Sequence, residues 1–86
     1  MAAKLTVKVR NPDVVFFDGE ADAVSSTNEK GPFDILPMHE NFISLIKDKI
    51  VIHLGGQKKE LSVNTGVIRA KGNNIQIFYS LKEQDR

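Results

Sequence analysis

The 86-residue chain is 41% hydrophobic and 27% charged, ordinary globular usage that excludes an intrinsically disordered class. Twelve Lys and Arg stand against eleven Asp and Glu, a formal net charge of +1, so no global field gathers nucleic-acid phosphates or anionic lipid. Without cysteine, disulfides and thiolate metal sites are excluded and stability must come from packing and strand pairing.

Met1-Ala2-Ala3-Lys4 leads into alternating residues and lacks the apolar stretch of a signal peptide. No run approaches the roughly 18 apolar residues of a membrane span, so a soluble protein that reaches a membrane only through a partner is expected. Alternation then dominates, as in strands with one buried face. Leu5, Val7 and Val9 share one face and Thr6, Lys8 and Arg10 the other. Asn11-Pro12-Asp13 breaks the pairing, because proline donates nothing to a ladder. Val14 to Ser25 reads as one long strand interrupted at Gly19 by a bulge or bend, with Glu20 and Asp22 facing water. Glu40 to Lys47 is the best helical candidate, but eight residues are marginal alone and it reads as turn plus strand.

Ile50, Ile52 and Leu54 then alternate with Lys49, Val51 and His53, and Gly55-Gly56 forms a tight hairpin to a return strand, Lys58 to Asn64, with Leu61 and Val63 inward. A last hairpin joins Val67–Lys71 through Gly72-Asn73-Asn74 to Ile75–Leu81, where Ile75, Ile77, Tyr79 and Leu81 share a face. Residues 81–86 form a charged tail. Val, Ile and Thr number nineteen and lose rotamer freedom in helices, which favours an all-β domain spanning 1–86, a sandwich or barrel.

Chemistry is sparse. His39 lies in a loop and His53 on the polar face of a strand, neither with a second ligand at metal spacing. Glu20 and Asp22 would share a side, as a catalytic carboxylate pair must, but an outward charged pair is ordinarily a solvated face. Ser25 and Ser26 have no base nearby in sequence. Lys58-Lys59 and Gly55-Gly56 lack the strand, glycine loop and helix of a phosphate cradle. The residues thus point to no catalysis, cofactor, metal or small-molecule substrate. Gly31-Pro32-Phe33-Asp34-Ile35-Leu36-Pro37-Met38-His39 remains, a non-alternating segment of turn formers and apolar residues suited to contact.

That segment is similar to the Gly-x-Phe-Gly-Ile-Leu-Pro-Gly-His signature of the epsilon subunit of rotary F-type ATP synthases, carried here by Gly31, Phe33, Ile35, Leu36, Pro37 and His39. The resemblance is colinear from residue 4 to about 81 through Pro12, Phe17, Gly19 to Asp22, Phe42 to Leu45, Gly55-Gly56, Gly66 and Asn74-Ile75. It implies a flattened sandwich of about ten short, mostly antiparallel strands. It further implies a non-catalytic central-stalk subunit that docks the gamma subunit to the c ring and couples proton transport to ATP synthesis. Such a subunit sits in the cytoplasm, peripheral to the inner face of the plasma membrane. By position, Ser26, Thr27, Asn28, Glu29 and Lys30 would form a loop toward the c ring, and Leu36, Pro37, Met38, His39, Glu40 and Asn41 would lie against gamma. Full-length relatives carry a carboxy-terminal helix pair, and this sequence stops before that region, as a short form would. The family's glycines around Ile-Leu-Pro are Asp34 and Met38 here; glycine often marks a positive φ that other residues reach only at about 1–3 kcal/mol, so either the local backbone is relaxed or this surface has changed. Glu40-Asn41 replaces Ala-Pro, and Asn64-Thr65-Gly66-Val67 replaces Ser-Gly-Gly-Phe. The alternative reading is a diverged sandwich that binds a partner outside the synthase.

Overall fold

The computed structural model describes residues 3–81. They form seven strands: β1 (Leu5–Arg10), β2 (Val15–Ala21), β3 (Ala23–Asn28), β4 (Gly31–Ile35), β5 (Phe42–Leu54), β6 (Gln57–Lys71) and β7 (Asn74–Ser80). One hydrogen-bonded sheet joins them in the order β2-β1-β7-β6-β5-β3-β4. Every pairing is antiparallel except β1 with β7, which runs parallel and brings Thr6 beside Asn74.

The sheet folds over on itself. β5 and β6 are 13 and 15 residues long, and both ladders of β5 slip near residue 47. Lys47 pairs with Thr65 but Asp48 with Val63, leaving Asn64 as an extra residue, and Asp48 takes φ 72°. Such a bulge bends a strand and raises its twist, and Asp is among the few non-glycine residues that enter this region readily. Beyond the bend the two strands serve another layer. The first layer holds β2, β1, β7, the end of β6 and the start of β5; the second holds the start of β6, the end of β5, β3 and β4. β2 consequently touches β5 although three strands separate them in the sheet order.

Five segments in one layer and four in the other account for the expected sandwich of about ten strands. Hydrogen-bonded continuity makes them seven. Lys58–Asn64 and Val67–Lys71 are one strand because the break expected at Thr65-Gly66 is absorbed in the bend. Phe42 opens β5, so the strand expected within Glu40 to Lys47 is present and no helix forms; the turn lies earlier, at Pro37-Met38, and the strand runs on to Leu54.

The long strand expected from Val14 to Ser25 does not exist. Gly19 pairs regularly with Val7, the slip falls instead opposite Val9 and Arg10, and the chain breaks at Asp22, where it leaves β1 and joins β5. Asp22 is bound at that corner rather than simply solvated: its N–H donates to the His53 carbonyl at 2.8 Å, Oδ1 accepts from Lys4 Nζ at 2.8 Å and Oδ2 from Gly55 N–H at 2.6 Å. Those donors, the Lys4 ammonium first, hold the Asp22 carboxyl below its ordinary pKa, and the same pairing raises Lys4.

One core lies between the layers. Leu5, Val7, Val9, Ile75, Ile77 and Tyr79 supply it from the first, Val24, Ile35, Ile50 and Ile52 from the second. Leu61 is only half-buried against this core, Leu81 lies exposed past the end of β7, and Val51, expected outward, is shielded between Ser25 and Glu60 in the ladder. Lys59 Nζ sits over the Phe16 and Phe17 rings at 5.3 and 6.0 Å. The charged tail at 82–86 and the start at Met1-Ala2 lie outside the described residues.

Candidate docking surfaces

Pro37 presets the φ of a turn's second residue, and Met38 follows at φ 70°. His39 N–H donates to the Leu36 carbonyl at 3.2 Å, which makes Leu36–His39 a type II turn. That turn type demands positive φ at its third position, where glycine is ordinary. Met38 therefore keeps the backbone that the family's glycine serves, while Asp34 does not: it sits in β4 without positive φ.

Side chains pin this loop to the β6–β7 turn. Met38 N–H donates to Asn73 Oδ1 at 2.7 Å, and Gly72 N–H donates to Asn41 Oδ1 at 2.8 Å. His39 Nδ1 lies 2.9 Å from the Glu40 carbonyl, so that nitrogen carries the proton, and the ring meets Phe42 edge-on at 5.9 Å. Leu36 is exposed and Met38 is 79% exposed, two apolar side chains held outward on a fixed turn. Glu40 and Asn41 are also exposed, and Pro37 is half-buried.

The second expected group is not a five-residue loop. Ser26, Thr27 and Asn28 belong to β3, and Glu29-Lys30 alone form the turn into β4. Ser26 is 3% exposed and its hydroxyl donates to the Lys49 carbonyl at 2.7 Å, so it braces β3 and offers no contact. Asn28 Oδ1 accepts from Lys30 N–H at 2.9 Å and its amide donates to Ser44 Oγ at 3.2 Å, leaving Glu29 and Lys30 as the exposed charges. A shallow groove of about 560 Å³ runs from this turn to Ile43 and Leu45 on β5.

Alternation alone missed the outer face of the first layer. Ile43, Leu45, Val67 and Phe78 are exposed there, Leu45 by 72% and Phe78 by 54%. The available signal was phase: Val67 and Phe78 share parity with Arg69, Lys71, Asn74 and Gln76, so they are apolar residues out of step with their core.

The fold also gathers a serine, a histidine and an aspartate that were distant in sequence. Ser25 Oγ lies 2.5 Å from Asp34 Oδ1 and 2.8 Å from His53 Nε2. A hydroxyl has one proton. Asp34 accepts it, so His53 Nε2–H donates to Ser25, the reverse of the serine-to-histidine direction a nucleophile requires. This is a cross-strand clasp of β4, β3 and β5. Among the described residues no three His, Asp or Glu side chains converge as a metal site, and no helix is long and apolar enough to cross a membrane.

The family profile for the ATP synthase delta/epsilon chain β-sandwich domain matches residues 4–81. The chain belongs to that family. It is 35% identical over 78 residues to the ATP synthase epsilon chain of Leptospira interrogans, covering 90% of this chain and 61% of that one. The Geobacter metallireducens epsilon chain is 28% identical over 85 residues, with 98% and 62% covered. The chain thus spans about three-fifths of the length of these relatives. Two solved structures share the fold at 14% identity, each covering 92% of this chain. One lies in the Euglena gracilis mitochondrial ATP synthase, TM-score 0.83 over 52% of that chain, and the other in the Tetrahymena thermophila mitochondrial ATP synthase central stalk and c ring, TM-score 0.73 over 65%. For an epsilon-family sandwich, the signature segment is accordingly β4 with the type II turn after it.

Proposed function

We propose that this domain is a non-catalytic rotor subunit of an F-type ATP synthase that docks gamma to the c ring and so couples proton transport to ATP synthesis. The complex would hold it on the cytoplasmic side of the membrane. The observation that carries this reading is the Leu36–His39 turn, which spends backbone strain to present exposed Leu36 and Met38 from a site stapled to the β6–β7 turn. Large apolar side chains fixed in water are contact residues, and strain held by surrounding structure marks such positions. Leu36, Pro37, Met38, His39, Glu40 and Asn41 are assigned to gamma. Thr27, Asn28, Glu29 and Lys30 are assigned to the polar loops of the c ring, with Glu29 and Lys30 making the charged contacts. The bent two-layer body suits the task, since close-packed interiors transmit load with little compression.

The test is direct. Purified domain and purified gamma subunit from the same organism are mixed and separated by size-exclusion chromatography. A stable equimolar complex is expected, and two species eluting apart would remove the rotor assignment.

A further inference from the structure

The chain has two methionines, and Met38 is the one inside the described residues. It belongs to no core: its side chain is 79% exposed at the third position of the Leu36–His39 turn. A thioether is open to oxidation to the sulfoxide wherever an oxidant can reach it. The neighbour is what sets this methionine apart. Asn73 Nδ2 lies 3.9 Å from Met38 Sδ, and Oδ1 of the same amide accepts the Met38 N–H at 2.7 Å.

Chemistry fixes the orientation of that amide. A backbone N–H needs an acceptor, so Oδ1 faces Met38 N, and the NH2 group, a donor only, is left turned to the sulfur. The Asn73 backbone is held as well, its carbonyl accepting the Thr6 N–H at 2.8 Å. A thioether is a weak acceptor, so the reduced side chain makes poor use of this donor. A sulfoxide oxygen is strongly polar and accepts well. Oxidation at Met38 thus gives a strong acceptor to an NH2 group whose one partner among the described residues is a sulfur.

We infer that Met38 is an oxidation site whose sulfoxide, captured by Asn73, tightens the turn. The oxidant is a hydroperoxide. A sulfur lone pair attacks its terminal oxygen, and the S–O bond forms as the O–O bond breaks. The departing alkoxide takes the hydroxyl proton and leaves as an alcohol, or as water from hydrogen peroxide. Sulfur loses two electrons and the peroxide gains them. Methionine oxidation ordinarily disrupts packing by placing a polar group among apolar ones. Here the sulfur lies outside the core, so no core packing is lost. The rotatable bonds of the side chain let the new oxygen come within hydrogen-bonding distance of Nδ2, about 2.9 Å. The turn becomes polar where it was apolar, and the φ of 70° at Met38 is held by two bonds to Asn73 instead of one. The inference concerns this chain alone, goes beyond the rotor reading and does not depend on it.

The test treats the full, uncomplexed chain with hydrogen peroxide, with N-acetylmethionine amide in the same solution as a fully open thioether. Peptide mass mapping is expected to show the gain of one oxygen at Met38 while the reference is consumed. Amide hydrogen exchange is then compared by NMR before and after oxidation. The Met38 and His39 amides, which hold the turn, are expected to exchange about threefold or more slowly in the oxidised chain, the effect of one added hydrogen bond. Asn73→Asp keeps an acceptor for the Met38 N–H and removes the donor to the sulfoxide, so oxidation should bring no slowing there. Met38→Leu, with Met1 as its remaining methionine, should show no change at His39 on peroxide treatment. Met38 left unmodified while the reference is consumed, wild-type exchange as fast or faster after oxidation, or equal slowing in Asn73→Asp overturns the inference. The wild-type comparison decides even where a variant fails to fold.

Discussion

Met38 is the residue at which local energetics and contact conflict. A non-glycine side chain at φ 70° costs about 1 kcal/mol, and 79% exposure means that Met38 recovers almost none of it by burial within this chain. Met38→Gly should therefore raise stability by up to about 1 kcal/mol, less the entropy glycine loses on folding, while weakening capture by gamma; urea unfolding and the binding assay read the two halves separately. Asp22 gives a pH-dependent counterpart. Its carboxyl is held below its ordinary pKa by the Lys4 ammonium and the Gly55 N–H, so folding favours the ionised form. That stabilisation is fully present above the ordinary carboxyl range, near pH 4, and is lost as pH falls through the lowered folded value. Urea midpoints of the wild type should drop across that window, and Asp22→Asn should show a shallower drop. An equal drop in both would place the acid sensitivity elsewhere.

At the level of elements, the bend of β5 and β6 depends on Gly66. A Cβ built there would stand 2.6 Å from the Phe78 carbonyl oxygen and 3.2 Å from Ile46 Cγ1, so backbone as well as side chain would have to move. Gly66→Ala should cost about 2 kcal/mol or more, read as a lower urea midpoint with unchanged slope. A midpoint equal to wild type would mean the corner is looser than its packing. The same bend shows how much of the fold was legible. Strand phases were readable wherever one face meets the core: Leu5, Val7 and Val9, or Ile75, Ile77 and Tyr79. Continuity through Asp48 and through Thr65-Gly66 was not, because bulge residues have the composition of turns. Asp22 escaped for the opposite reason, since a corner that trades one partner strand for another leaves no glycine or proline behind. The turn at Leu36–His39 was visible through Pro37, whereas the exposed apolar group beside it was not: Phe78 is already out of phase with Ile75, Ile77 and Tyr79, but only the strand order brings it next to Val67 and Leu45.

Across the whole molecule, folding one sheet into two layers leaves two open edges, β2 and β4. Open edges template pairing with other chains, and folded domains protect them with charges and proline. β4 carries Pro32, which has no N–H to donate, and Asp34, already engaged by Ser25. β2 is the greater hazard, because Val15-Phe16-Phe17 is a short, uncharged, strongly β-forming run. Its protection lies in Asp18 and Glu20, exposed on the strand just beyond it. Their position thus serves solubility at the open edge. Replacing both, Asp18→Val with Glu20→Val, touches no buried group and should leave the melting temperature of the monomer within a few degrees. In sedimentation velocity the same variant should associate over a concentration range in which the wild type stays monomeric. If the variant sediments as a monomer throughout, the edge is guarded by its twist and its half-buried phenylalanines rather than by the two carboxylates.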